Sequence, residues 1–175
     1  AQIDFENRIA IDLLKIQAQH PQSMVVLEDE SRNIGARHIP HYFSDRMAQS
    51  QFVVIDMDFE ERLERLWQEY VVERYLKTLA FFGATGEQEF ARYLRESLLR
   101  VQKRLGGQRT KELLASMDNA IAIQHRDNFA SHRHWLALIT QDYYDPMYSY
   151  QLEKKKELVV FRGPREAVVE WLERG

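Results

Sequence analysis

The sequence predicts an α/β fold in which a partial parallel sheet is interrupted by a large helical insertion. Three observations predict it. Short, largely β-branched apolar runs lie near 24–28, 52–57 and 158–161, each bounded by polar or turn residues, as buried parallel strands are. The first 58 residues alternate helix, strand, helix, strand and enter a further helix, which is the order of a layered α/β fold. Between the second and third runs lie about ninety residues whose apolar positions recur at helical spacing.

Taken in order, residues 4–19 place Phe5, Ile9, Leu13 and Ile16 on one helical face, with Asp4 as a candidate N-cap and Pro21 closing the helix. Met24-Val25-Val26-Leu27 then reads as a strand that ends in Glu28-Asp29-Glu30. Residues 31–37 form a polar loop containing Gly35, and Pro40 suits the first turn of a short helix. Phe52-Val53-Val54-Ile55 repeats the strand pattern and ends in Asp56-Met57-Asp58, where Asp58 and Glu61 have capping-box spacing. Residues 59–82 form a long helix stopped by Gly83, and 87–105 a second stopped by Gly106-Gly107; 110–125 and 131–142 make two more. Asp145-Pro146 marks a turn. Leu158-Val159-Val160-Phe161 returns as a strand, and after Arg162-Gly163 the chain enters a last helix at Pro164. The α/β layer therefore comprises 1–58 and 157–175, the helical insertion 59–142, and a tyrosine-rich connection 143–156.

Composition excludes several classes. Net charge is −3, so any nucleic-acid site must be a local patch. No apolar run reaches the roughly 20 residues that span a bilayer. There is no cysteine, which removes disulfides, Cys-ligated metals and a thiol nucleophile from this stretch and leaves no catalytic residue to nominate. A reducing, cytoplasmic setting is expected.

The acidic strand end Glu28-Asp29-Glu30 resembles the place where P-loop NTPases hold magnesium or its water shell, since ligands gather at the carboxyl edge of parallel strands. Strands also end in acids simply because the chain re-enters solvent. No G-x-x-x-x-G-K-[ST] occurs anywhere in the chain. Arg32 and Arg37 flank the following loop and either reach an anion at that edge or are solvated loop charges. His38 and His41, and His125, His132 and His134, lack acids at a metal-binding spacing, and no metal site is expected. On the helix at 87–105, Phe90, Leu94, Leu98, Val101 and Leu105 share one face, while Arg92, Arg95, Arg100, Lys103 and Arg104 spread over the other. From Arg92 through Lys111 there are seven bases and one acid. Such a stripe is either a solvated face or the footprint of a polyanion such as RNA. Four of the eight tyrosines fall in 143–150, before Lys154-Lys155-Lys156. They either stack on unpaired bases or pack a turn against the core.

These features meet in one resemblance. Phe5-Glu6-Asn7-Arg8-Ile9-Ala10-Ile11-Asp12-Leu13-Leu14, Val26-Leu27-Glu28-Asp29-Glu30-Ser31-Arg32-Asn33-Ile34-Gly35, Glu60-Glu61-Arg62 with Glu69-Tyr70-Val71, and the tail from Tyr143 to Leu152 resemble the bacterial tRNA 2-selenouridine synthase family over nearly the whole chain. The resemblance implies a rhodanese-like domain with a catalytic cysteine, then a P-loop domain of which this chain is the C-terminal portion. It implies conversion of a wobble 2-thiouridine in tRNA to 2-selenouridine through a geranylated intermediate. Selenophosphate and geranyl diphosphate would be substrates, with magnesium or nucleotide left open. The rhodanese-like domain and the Walker A loop would lie upstream of Ala1, and the missing N-terminal part would be a partner together with tRNA. On this reading Glu28, Asp29, Glu30, Arg32 and Arg37 lie near a phosphate site, and Arg92, Arg95, Arg100, Lys103 and Arg104 face tRNA. Two other readings stand beside it: a nucleotide kinase or NTPase with the middle helices as a lid, and a non-catalytic helical interaction module. If the Walker A strand belongs between the strands at 24–28 and 52–57, a gap is left in the sheet, and a marginal, self-associated or rearranged chain is expected.

Overall fold

The computed structural model describes residues 1–29 and 32–174, which divide into two compact units, one ending at Phe52 and the other running from Val53 onward. Of the described residues 73% are helical, and the strands form two separate two-stranded sheets.

In the first unit, helix α1 spans Gln2–Gln19. It starts three residues earlier than the Asp4 cap predicts, and Asp4 lies in the first turn, 2.8 Å from the N-terminal amine. A carboxylate there complements the helix dipole. Phe5, Ile9 and Leu13 are the half-covered face, but no residue of α1 is buried, and Ile3, Ile11 and Leu14 are exposed. The loop at 31–37 contains an antiparallel hairpin, β1 (Asn33–Ile34) with β2 (Arg37–His38), turned at Gly35-Ala36. Gly35 has φ +61, the left-handed value a tight hairpin demands at its first turn position. Gln2 fastens α1 to β2: its Nε2 donates to the His38 carbonyl at 2.6 Å and its Oε1 accepts from the His38 amide at 3.0 Å. Helix α2 (His41–Ala48) follows Pro40 as predicted. Among the described residues of this unit Ile39 alone is buried.

The strand predicted at 24–28 does not form. Met24, Val25, Val26 and Leu27 lie in irregular chain, 41–61% exposed. A β-branched run signals capacity for burial, but a strand also needs a neighbour for its amides and carbonyls, and no described strand pairs with this one.

The second unit begins within β3 (Phe52–Ile55), which pairs in parallel with β4 (Val159–Gly163). Both predicted strands are present. Their carboxyl ends meet where the Asp56 amide donates to the Gly163 carbonyl at 2.8 Å. There Arg162 Nε also reaches both Asp56 oxygens at 2.8 and 2.9 Å, and this bond holds the Asp56 carboxyl below its ordinary pKa. Helix α10 (Arg165–Arg174) packs back on β4 through buried Val168 and through Trp171, stacked on Phe161 with centroids 5.4 Å apart.

The predicted helical insertion is the core of the molecule. Helix α3 (Phe59–Trp67) has Asp58 at its N-cap, though the Asp58 side chain makes no capping bond, so the predicted capping box is absent. A π-helical segment, Gln68–Glu73, leads into α4 (Arg74–Phe82), which Gly83 ends with φ +58. Helix α5 (Gly86–Arg100) packs tightly on α4: a Cβ at Gly86 would lie 2.7 Å from Leu79 Cδ2 and 2.8 Å from its Cα. The predicted helix at 87–105 breaks at Val101, leaving α6 (Gln102–Leu105) before Gly106. Helices α7 (Gly107–Ile123) and α8 (His132–Ile139) follow. A second π-helical segment, Thr140–Tyr144, then runs directly into α9 (Asp145–Lys154). The turn predicted at Asp145-Pro146 is therefore helix. Pro146 has no amide to donate, and the wider turn beside it, where the Asp145 amide reaches the Thr140 carbonyl, accommodates that loss. Val71, Phe90, Leu98, Leu113 and Met117, from three different segments, are at most 2% exposed.

Candidate functional site: an apolar cavity in the helical body

The residues predicted near a phosphate do not assemble into a strand-end site. Glu28 and Asp29 lie exposed in irregular chain, and Glu30 lies outside the described residues. Arg32 Nε contacts the Ile39 carbonyl at 3.4 Å, and Arg37 Nη1 donates to the Ala1 carbonyl at 2.8 Å. Both arginines brace local backbone.

The basic stripe is more neutral than its sequence. Its apolar face behaves as predicted, with Phe90, Leu94 and Leu98 buried and Val101 and Leu105 packed against the core. Arg92 pairs with Glu89 and Glu96, its guanidinium pKa raised chiefly by the bond to Glu89. Arg95 Nε donates to Asp118 Oδ1 at 2.7 Å, tying α5 to α7. Arg104 Nη1 donates to the Tyr143 hydroxyl at 2.8 Å, and Arg109 joins Glu112 to Asp142. Lys103 and Lys111 are exposed and in no ion pair among the described residues. Arg100 also lacks an ion-pair partner among them, and it lies elsewhere, on the wall of a cavity.

That cavity was not legible as a motif. It has a volume of about 570 Å³, within the range of roughly 300–1,000 Å³ usual for small-molecule sites. Its walls come from α3, α5, α7, α8, α9 and both π-helical segments. Leu66, Leu94, Leu98, Met117, Trp135 and Ile139 make it mostly apolar. Arg62, Arg65, Arg100, Glu69 and Asp145 supply its charges. Arg62 binds Asp145 through two bonds, 2.5 and 2.9 Å, which raise the guanidinium pKa, yet its buried Nε finds no acceptor among the described residues. Arg65 pairs with Glu61 at 3.0 Å.

The tyrosine cluster divides. Tyr144 and Tyr148 stack, centroids 6.4 Å apart, on the cavity wall, and burial raises the Tyr144 pKa. Tyr150 is exposed, with Lys154 Nζ 4.3 Å above its ring. The histidines also divide. His38 and His41 are exposed in the first unit, and His125 Nε2 lies 3.0 Å from Glu87. His132 is fully buried. It accepts from Trp135 Nε1 on Nδ1 at 3.0 Å and faces Gln124 Oε1 through Nε2 at 3.2 Å, and burial lowers its pKa to about 4. These bonds require the neutral Nε2–H tautomer. No group of three or more His, Asp or Glu residues converges on a metal-sized space among the described residues. No described helix is long and apolar enough to cross a membrane.

All 175 residues match the family described as the tRNA 2-selenouridine synthase AAA domain. Proteins named tRNA 2-selenouridine synthase from Salmonella paratyphi B and Salmonella newport are 43% identical to the chain over 174 residues, and one from Salmonella enteritidis is 42% identical. In each case the match covers 98% of this chain and 48% of the relative, so the chain spans about half the length of the curated relatives it matches. No solved structure matches it. The chain belongs to the tRNA 2-selenouridine synthase AAA-domain family.

Proposed function

We propose that this chain is the nucleic-acid- and phosphate-handling part of a tRNA-modifying transferase that converts wobble 2-thiouridine to 2-selenouridine. The observation that carries the reading is the family match over all 175 residues, together with 43% identity to proteins of that name. In this reading the 2-thiouridine is geranylated first, with geranyl diphosphate as donor, and selenophosphate then supplies the selenium. The chemistry of a thiol nucleophile would come from outside this chain, which has no cysteine. A P-loop and a rhodanese-like domain belong to the same proposal, in the length the relatives have beyond this match. The exposed apolar side chains at 24–27 and the two-stranded sheet of β3 and β4 support it, since the first are left in water and the second offers edges that further strands would cover.

For tRNA contact, the observed pairing shifts the emphasis along the stripe. Arg92 and Arg95 must share their charge with carboxylates, whereas Arg104, bonded to the neutral Tyr143 hydroxyl, and Lys103 and Lys111 are in no ion pair among the described residues. Glu28, Asp29, Arg32 and Arg37 would approach a phosphate only with further strands packed beside them. The test is conversion of a 2-thiouridine-containing tRNA by the full-length protein with geranyl diphosphate and selenophosphate, read by nucleoside mass spectrometry. The proposal predicts a geranylated nucleoside and then 2-selenouridine. An unchanged 2-thiouridine with all substrates present contradicts it.

A further inference from the structure

We infer that the cavity between α3, α5, α8 and α9 binds a single hydrocarbon chain carrying a phosphate or diphosphate head. Three independent features converge on that chemistry. The wall is apolar, so a ligand that fills it gains from leaving water. Its charged groups are three arginines against two carboxylates, Glu69 and Asp145. Asp145 is occupied by Arg62 and Arg65 is held by Glu61, so Arg100 is the arginine left to meet an anion, and the buried Arg62 Nε is a second donor in need of an acceptor. Phosphate oxygens suit such donors because the planar guanidinium presents its N–H groups in a fixed fork that two phosphate oxygens can accept together.

The third feature is the backbone. Both π-helical segments of the chain border this one cavity: Gln68–Glu73 contributes Glu69 and Tyr70, and Thr140–Tyr144 contributes Thr140 and Tyr144. A π-turn inserts a residue into a helix, carries a cost in backbone geometry, and is often found where a side chain is re-aimed at a functional site. Two of them on one cavity make incidental core irregularity a poor account of its shape.

The geometry alone calls for a chain and an anion. Naming the chain geranyl rests on the function proposed above, and the cavity then becomes the seat of the prenyl donor. Binding to the full-length protein is measured by calorimetry with three probes: geranyl diphosphate, geraniol and inorganic pyrophosphate. Geranyl diphosphate should bind at least about tenfold more tightly than either half of it, because chain and head are held together by one site. Ser97 is a half-exposed wall residue, and Ser97→Phe should weaken both chain-bearing probes about tenfold by filling space the chain needs. Arg100→Glu, at an exposed position that no core packing depends on, should weaken geranyl diphosphate and leave geraniol unchanged.

Equal affinity for pyrophosphate and geranyl diphosphate overturns the inference, as does geranyl diphosphate binding unaffected by both substitutions. The two readings fail separately. A protein that modifies tRNA while both variants bind geranyl diphosphate like wild type keeps the proposed function and places the donor elsewhere. A protein that binds the probe in the cavity and never modifies tRNA upholds the inference and removes the function.

Discussion

The two units differ in what their apolar residues accomplish. In the first, amphipathic α1 and the run at 24–27 are as apolar as many buried segments, yet Ile39 alone is buried among the described residues. In the second, Val71, Phe90, Leu113 and their neighbours are almost completely withdrawn from water. The difference lies in what is available to pack against. The helices from 59 to 154 supply faces to one another, whereas the irregular run at 24–27 and the face of α1 stay largely in water.

The largest expected effect sharpens that contrast. Leu113→Ala removes a fully buried side chain and should destabilise the second unit by about 2–5 kcal/mol, while Val26→Ala at an exposed position should change stability by less than about 0.5 kcal/mol. Urea melts of both variants check this, and comparable losses would erase the distinction between the units.

Next comes pH. His132 is held neutral, with a folded pKa of about 4 against an unfolded value near 6.5. Between those values the unfolded chain binds the proton and the folded one does not, so stability is complete above about pH 6.5 and falls as the pH drops to about 4. The loss attributable to this group is about 3 kcal/mol. Melts from pH 7 to pH 4 should show a steeper decline for wild type than for His132→Gln, and parallel declines would show that His132 is not the titrating group.

Gly86→Ala should cost about 1–3 kcal/mol, because the added methyl meets the Leu79 backbone as well as its flexible tip. A thermal melt indistinguishable from wild type would mean that α4 and α5 can separate at little cost. The smallest effect is expected at Arg133, which lies over the Trp67 ring at 3.5 Å and holds Glu64 through both oxygens at 2.9–3.0 Å. Partial exposure of this pair limits Arg133→Ala to about 1 kcal/mol, read by the same melts.

Particular residues show how far the fold was legible in the sequence. Phe52–Ile55 and Val159–Phe161 were readable as strands because they pair with each other. Met24–Leu27 carries the same pattern and forms none, since pattern reports a residue's capacity for burial and not the presence of a partner. The hairpin at 33–38 was missed because two-residue strands have no period to detect. The α5 face was readable from its 3.6-residue spacing, but the neutralisation of Arg95 by Asp118 and of Arg109 by Asp142 joins residues far apart in sequence. The cavity was hidden for the same reason. Leu66, Met117 and Ile139 look like ordinary core residues until seven elements are brought together, and neither π-helical segment leaves a mark in the local sequence.

The proposed contact between the helical body and tRNA is tested by a salt titration. The full-length protein and its Lys103→Glu, Lys111→Glu double variant are titrated with tRNA at two salt concentrations. Neither lysine is in an ion pair among the described residues, so reversing them breaks no internal pair and should leave thermal stability within about 0.5 kcal/mol. Weaker binding is expected, with a salt dependence flatter by roughly 0.7–0.9 for each phosphate that is no longer neutralised. Identical affinities and identical slopes would contradict it and assign tRNA recognition to another surface.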